Sequence, residues 1–590
     1  MPGFFIYMPG LFGIASFDQK PERDLFGKLA NKITPFEKDS LKYNANKILL
    51  GFQSLDIIDP QNQPFYDERN DLTLFFWGEI FSHPFGKKPL AQIIFDIHRN
   101  NKISNLRDIN GFYSYAVWDG KNDSLVIASD IYATRPIYFY QAGKTLYFAS
   151  SPFALANSLG LTKIDTKSMG QFLATGMILG EGCWIEGVRK LRYGSYLHFD
   201  IDGLKIGEYF KPIIKPVNIS LSEAAETLLE KSKISAGRMV RGKTAISLSG
   251  GSDSRFIAEI CKAQGHDLPA FTFGGNHSLD MEIAKSVSKK LGLKHYPLHI
   301  EDDYLKDCLY RGVYNSGGYS SASNFHGIST RDMVREFADI CLTGLWGNNF
   351  LGYLSLRMLR MPWLRSRQKM NQRMLGLLNT GFAFQELSGL FKSKNLVQAV
   401  QLSLEMLTEQ YRQENLFETF MFFDHFESGS QHSLSGYWLE NDRLEFRSLF
   451  LDYDLLEFNL ALPPRHKHNM RLGREIWRKK FPEMGQIIHQ RTGRAISASL
   501  PTIIFTKLFD KLRKRPLPPG IMDYSLIFKT GLSTWLKEFL LSKDSLNSEY
   551  LHHEFVKKTI EDHQSGRGDN SNRIGLLLTF EQTLRILHSS

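Results

Sequence analysis

The sequence predicts a multidomain α/β protein, with a strand-rich N-terminal part followed by a parallel-sheet α/β domain that ends in a helical portion. Three observations carry that expectation. The N-terminal third holds short β-branched and aromatic runs, Leu72–Trp77, Tyr113–Trp118 and Ser124–Ala128, punctuated by Gly, Asn and Asp turns. Beyond a proline-bearing stretch, Lys211–Pro216, strand and helix patterns alternate at the spacing of a parallel sheet with covering helices. From about Ser366 onward the pattern is mostly helical.

The alternating segment is a helix over Leu221–Arg238, a strand over Thr244–Leu248 and a helix from Arg255 to about Ala263. A strand over Ala270–Phe273 and a helix over Met281–Leu291 follow. At 590 residues the chain is too long for one hydrophobic core. We divide it into 1–210 and 217–590, with the proline-bearing stretch as the linker.

Composition narrows the function classes. Hydrophobic residues make up 42% and charged residues 23%, an ordinary globular balance. No run of about 18 apolar residues occurs, so no transmembrane segment is expected, and the apolar start lacks the basic flank of a secretion signal. Four scattered cysteines, Cys183, Cys261, Cys308 and Cys341, show no metal or disulfide spacing and read as reduced. The expected location is cytoplasmic.

The formal charge of +10 is clustered, at Arg357–Arg373, His466–Lys480 and Lys507–Arg515. Such runs suit a phosphate-bearing or acidic ligand, or a solvated helix face. No nucleic-acid motif accompanies them, so nucleic acid is not expected as a partner.

The chemistry sits in Ser249-Gly250-Gly251-Ser252-Asp253-Ser254, between a strand ending at Leu248 and the following helix. Glycines let backbone approach a phosphate, the hydroxyls donate hydrogen bonds, and the helix N-terminus adds its dipole. Asp253 would repel a phosphate unless a divalent cation lay between them, and magnesium is the economical choice. The loop lacks the lysine of the common G-x-x-x-x-G-K-[ST] phosphate loop. It resembles instead the S-G-G-x-D-S pyrophosphate loop of the N-type ATP pyrophosphatases.

The resemblance extends along the chain to one branch, the asparagine synthetase family. Leu342–Tyr353 is similar to that family's second nucleotide loop, and Arg447–Asp452 with Leu462-Pro-Pro464 to its R-x-P-F-L-D and L-P-P signatures. His563–Gly566 resembles a C-terminal helical segment, Met8–Ile14 the family's start, and Trp77-Gly-Glu-Ile80 its Asn-Gly-Glu-Ile. The resemblance implies an N-terminal Ntn-hydrolase-like αββα sandwich, then an ATP pyrophosphatase domain using ATP and Mg2+. It places Leu248, Phe273, Thr343 and Gly344 at the base and sugar, Ser249–Ser254 at the phosphates, and Asp253 with Asn348 at the metal. Arg474, near the family's catalytic lysine, and neighbouring Lys467 and Arg478 would stabilise the departing charge.

Departures from the pattern sharpen it. A glutaminase of this kind uses an N-terminal cysteine; Pro9 stands there, Ser54 replaces a substrate-clasping arginine, and Trp77 replaces the asparagine. Pro89 falls near an expected aspartate. The glutaminase half is therefore expected to be inactive. Family relatives without the cysteine include β-lactam synthetases and lasso peptide cyclases, in which an amine of the substrate attacks the adenylate.

In the synthetase half, Asn348 stands where an aspartate is usual, Arg474 cannot shuttle protons, and Leu345 sits where some relatives carry a glutamate. The expected function is a ligase that adenylates a small-molecule or peptide carboxylate and joins it to ammonia or an amine. A nucleotide- or metabolite-binding protein without catalysis and an ammonia-dependent asparagine synthetase are the alternatives. The possible protein partners are a second copy of the chain or a biosynthetic partner. His326, His277 and Asp280 are further candidates near substrate or nucleotide, while Cys341 reads as a buried small apolar residue.

Overall fold

A computed structural model describes residues 8–33, 40–60, 62–352, 363–393, 395–512 and 518–589. Arg357 and Arg360 of the first basic run, and Arg513–Arg515 of the third, lie outside the described residues.

The N-terminal domain is built from twelve strands in chain order. They are β1 (Gly10–Ser16), β2 (Ser40–Ala45), β3 (Ile48–Gln53), β4 (Phe65–Asp67), β5 (Leu72–Ser82) and β6 (Asn110–Asp119). The rest are β7 (Ser124–Ser129), β8 (Tyr138–Ala142), β9 (Thr145–Ala149), β10 (Arg189–Lys190), β11 (Ser195–Asp200) and β12 (Gly203–Glu208). They form two six-stranded sheets, β10-β8-β9-β1-β3-β2 and β12-β11-β7-β6-β5-β4. Alternation along each strand sorts its side chains by face. Leu11 and Ala15 of β1 join Phe75 and Trp77 of β5 in a core between the sheets. The intervening Phe12 and Ile14, and Leu74 and Phe76, belong to the outer core beneath helices. Helices α1 (Arg23–Ile33) and α3 (Pro152–Leu159) cover one sheet and α2 (Leu90–Arg99) packs on β5, which gives the expected αββα sandwich.

Residues 211–220 run without regular structure, and Ser220 then caps helix α5 (Leu221–Met239). It accepts from the Glu223 N–H at 3.2 Å while the Glu223 carboxylate takes the Ser220 N–H at 2.9 Å, a reciprocal cap. Numbering α4 as Thr166–Thr175, the next helices are α6 (Ser252–Ala263) and α7 (Leu279–Leu291). A five-stranded parallel sheet follows, β15-β14-β13-β16-β17, from β13 (Thr244–Ser247), β14 (Ala270–Gly274), β15 (His295–His299), β16 (Ile340–Leu342) and β17 (Glu445–Arg447). Most regular structure after residue 363 is helical.

Two elements differ from the sequence reading. Helix α6 starts at Ser252 rather than Arg255, so the phosphate-loop serine and aspartate are themselves its first turn. Strand β17 went unrecognised because Glu-Phe-Arg carries two charges in three residues. Those charges are buried because the N-terminal domain supplies their partners: Arg135 reaches Glu445 at 2.6 Å, and Glu79 pairs with Arg447. The domains also share a bond from the Ile131 N–H to the Tyr453 hydroxyl at 3.0 Å and one from Trp438 Nε1 to the Thr134 carbonyl at 3.1 Å.

Candidate functional site: a phosphate cradle and a filled pocket

Strands β14, β13 and β16 are neighbours and parallel, so their carboxyl ends open on the same edge of the sheet. Leu248–Ser254 leaves β13 there, Phe273 lies near the end of β14, and Thr343–Asn348 leaves β16. The first loop is closed on itself: the Ser249 N–H donates to Ser254 Oγ at 3.0 Å and the Gly251 N–H to Ser249 Oγ at 3.2 Å. Gly251 is the N-cap of α6 and provides no side-chain cap. The helix end therefore keeps donors and dipole for a ligand, and an anion is the complementary one.

The second loop is seated on the first through glycine. A Cβ on Gly344 would lie 2.5 Å from the Ser254 nitrogen, and one on Gly347 would overlap the Asp253 side chain. Asp253 accepts from Ser252 Oγ at 2.6 Å and from the backbone N–H of Asn348. Burial nevertheless pushes its carboxyl up to about 6. The Asn348 side chain itself faces solvent. Leu248 is buried, while Phe273 is half-buried with its ring 5.3 Å from that of His326. His326 is held neutral by burial, its pKa pushed down to about 4. The two rings are tilted 45° to each other near the carboxyl end of β14.

Three side chains that the sequence did not single out for the phosphates complete this end. Arg255, fully buried, donates to the Ile487 carbonyl at 3.1 Å and the Ile488 carbonyl at 2.9 Å, which ties the segment before Gln490 beneath the loop. The Gln490 N–H donates to the Gly250 carbonyl at 3.2 Å. Arg491 is the cation felt by both Asp253 and Asp280. Asp280, considered from sequence only as a neighbour of the nucleotide, takes the Gly250 N–H with its carboxylate. His277 is exposed, at φ +62°. The signal for Arg255 was present, as an arginine one residue past the motif, but its direction depends on the distant hairpin of 488–495.

The remaining candidates lie behind the second loop. Helix 471–479 packs on helix 347–351 through Gly473, where a Cβ would lie 2.5 Å from the Leu351 carbonyl. Arg474 is half-buried there, with Nη1 buried and unpartnered, and burial lowers its pKa, helped by Arg478 and Arg471. Arg478 points outward and donates to the Ser497 carbonyl at 2.8 Å. Lys467 donates to the Asn459 carbonyl at 2.6 Å, its backbone pressed on Gly352, and burial pushes its pKa down to about 7.

The N-terminal pocket contrasts with this. Trp77 is 3% exposed and fills the space beside Pro9, with the Arg135 guanidinium 5.4 Å above its ring. The void left among Pro9, Asp59, Trp77, Arg135 and Glu445 is about 10 Å³, no more than one water needs. Ser54 Oγ donates to Asp59 at 3.0 Å and the Gly78 N–H donates to the same carboxylate at 2.8 Å, so an internal anion occupies these donors. Cys183, the first cysteine of the chain, is buried elsewhere, its thiol pushed up to about 12 by burial. A roomier hollow of about 440 Å³ opens on the other side of Gly78, lined by Ile58, Phe81, His83 and Leu90. It belongs to the N-terminal domain and not to the cradle.

Comparison with known proteins follows this division. Residues 8–210 match the glutamine amidotransferase domain family, and residues 235–585 match asparagine synthase. The chain belongs to the asparagine synthase family. Among curated relatives it is 24% identical over 264 residues to asparagine synthetase [glutamine-hydrolyzing] 1 of Bacillus subtilis (strain 168), covering 42% of each protein. It is 25% identical over 393 residues to asparagine synthetase [glutamine-hydrolyzing] 2 of the same organism, covering 58% of this chain and 52% of that one. Against asparagine synthetase B [glutamine-hydrolyzing] of Escherichia coli (strain K12) the identity is 23% over 300 residues, covering 45% and 50%. The chain spans about half the length of the curated relatives it matches. Within an asparagine synthase fold, then, the first turn of α6 carries no side-chain cap, while Pro9, Trp77 and Arg135 leave a void of only about 10 Å³ in the domain matched by the amidotransferase family.

Proposed function

We propose that this asparagine synthase family member is an ATP-dependent ligase that forms an amide through an acyl-adenylate, without hydrolysing glutamine. The observation that carries the reading is the uncapped first turn of α6, closed from the side by a second loop whose glycines rest on Asp253. A carboxylate oxygen of the substrate attacks the α phosphorus of ATP. The bond to the bridging oxygen breaks, and pyrophosphate leaves onto Ser249–Ser254 while Arg491 and Arg474 balance its charge. An amine nitrogen then attacks the acyl carbon, AMP departs, and the amine loses one proton. That proton passes to solvent, while Lys467, bound to the Asn459 carbonyl, is held behind the second loop.

Magnesium fits these residues. Asp253 would hold it, phosphate oxygens and water would complete its shell, and it would neutralise phosphate charge beside that buried carboxylate. The filled N-terminal pocket argues for an amine carried by the substrate or for free ammonia. The acid would be a small molecule or a peptide. All four cysteines are free, and no described helix is long and apolar enough to cross a membrane.

The test is release of pyrophosphate and AMP from ATP and magnesium across a panel of amino acids, small carboxylic acids and peptides. Substrate-dependent release of both is expected, and failure to bind ATP would sink the reading. A second reading, nucleotide binding without turnover, is favoured by the Asp280 carboxylate on the Gly250 N–H, a donor that pyrophosphate would need. Tight ATP binding with no AMP from any acid would select it.

A further inference from the structure

From Asp59 to Arg241, three carboxylates alternate with three guanidiniums across the boundary between the two domains. Asp59 faces Arg135, Arg135 pairs with Glu445 at 2.6 Å, and Glu445 faces Arg447 two residues along β17. Arg447 then pairs with Glu79, and Glu79 with Arg241 at 3.1 Å. The N-terminal domain gives Asp59, Arg135 and Glu79; the C-terminal domain gives Glu445, Arg447 and Arg241. The signs cancel. The side chains of Arg135, Glu445 and Arg447 are 6%, 3% and 0% exposed, so each depends on its neighbours for the loss of water. Period-two alternation puts Glu445 and Arg447 on one face of β17, the edge strand of the parallel sheet.

That edge strand holds the second nucleotide loop. The Arg447 carbonyl accepts the Thr343 N–H at 2.8 Å, and Ser448 Oγ donates to the Leu345 carbonyl at 2.7 Å. Arg447 also donates to the Met239 carbonyl at 2.6 Å, fixing the end of α5. Asp59 lines the filled pocket beside Trp77, and Glu79 lines the roomier hollow beside Gly78.

We infer that the inactive amidotransferase domain now serves as an electrostatic clamp, in which Glu79 and Arg135 are positioning residues that hold β17 and, through it, the Thr343–Leu345 loop in its ATP-binding form. The domain supplies no nitrogen in this scheme; it supplies the fixed wall against which the loop closes on Asp253. The inference rests on the ligase reading only in taking that loop as the nucleotide's.

The experiment uses the full-length protein, with ATP affinity measured by calorimetry and hydrogen exchange followed at residues 343–349. Glu79→Gln keeps the shape but leaves Arg447 short of a charge. It is expected to weaken ATP at least fivefold and to speed exchange of the Thr343 amide at least tenfold. Leu50→Ala, in the core between the N-terminal sheets, lowers the melting temperature but is expected to leave both readouts within twofold, which separates positioning from general stability. A folded Glu79→Gln protein with ATP affinity and exchange within twofold of the original overturns the clamp. Should that variant fail to fold, Arg241→Met removes the exposed end of the row, and a two- to threefold loss of affinity is expected, no loss being the overturning result. If the unmodified protein binds no ATP, the ligase reading falls, and the exchange readout alone decides the clamp.

Discussion

The loop Leu248–Ser254 and the pocket around Trp77, one in each domain, are built in opposite ways. In the N-terminal pocket the Trp77 indole and the Pro9 ring border a void of only about 10 Å³, and the Asp59 carboxylate takes the Gly78 N–H. At the cradle, Gly344 and Gly347 let the second loop rest on Asp253 and Ser254, and the helix end is left without a side-chain cap. The contrast lies in the helix end. At the cradle the protein's own groups answer the Ser249, Gly250 and Gly251 N–H groups but leave the first turn of α6 without a side-chain cap. In the N-terminal pocket the Gly78 N–H is answered by Asp59 and the remaining space is closed by Trp77.

The sharpest way to break the comparison is Asp253→Asn. It is expected to lower substrate-dependent pyrophosphate release by about 100-fold or more, since it removes the charged group of the cradle. Next comes Gly344→Ala, whose methyl would displace the second loop from Ser254. ATP binding measured by calorimetry should weaken about tenfold, whereas Gly78→Ala, at φ +114° against the Phe112 carbonyl, should depress the melting temperature without that loss. Trp77→Ala tests the other side: emptying the pocket should cost about 3–5 kcal/mol in denaturant unfolding and yield no glutamate from glutamine.

A smaller effect follows from the raised carboxyl of Asp253. Its folded pKa of about 6 exceeds the model-compound value of 3.8, so the native state binds the extra proton in that interval. Its contribution to stability is therefore full below about pH 4 and is lost as pH rises to about 6, by roughly 2–3 kcal/mol. The difference in unfolding free energy between the original protein and Asp253→Asn should slope accordingly. Smallest of all, glutamine added to the ligase assay should leave the rate unchanged.

Much of the architecture was legible because it is written locally. The runs Leu72–Trp77 and Tyr113–Trp118 mark β5 and β6, and the periodic apolar positions of Leu221–Arg238 mark α5 to within a residue. The loop Ser249–Ser254 announced itself through residue types alone. What escaped is non-local. Arg255 looked like an ordinary first-turn residue until the segment 484–488 was folded over it. Arg491 is separated by more than two hundred residues from the aspartate it faces, and Glu445-Phe-Arg447 carries no strand pattern without its partners from the other domain. Arg255 and Glu445-Phe-Arg447 carry charges whose burial depends on distant carbonyls or opposite charges, and the exposed Arg491 acts on aspartates far away in the chain, none of which a window of neighbouring sequence contains.

The bare N-terminus of α6 also has a consequence for the lifetime of the molecule. A helix end that only a ligand completes makes folding and ligand supply one equilibrium: at a nucleotide concentration a hundred times the dissociation constant, the folded state gains about 2.7 kcal/mol. With ATP as the proposed ligand, resistance to heat and to proteases is expected to rise with nucleotide supply, which melting temperatures measured with and without ATP check.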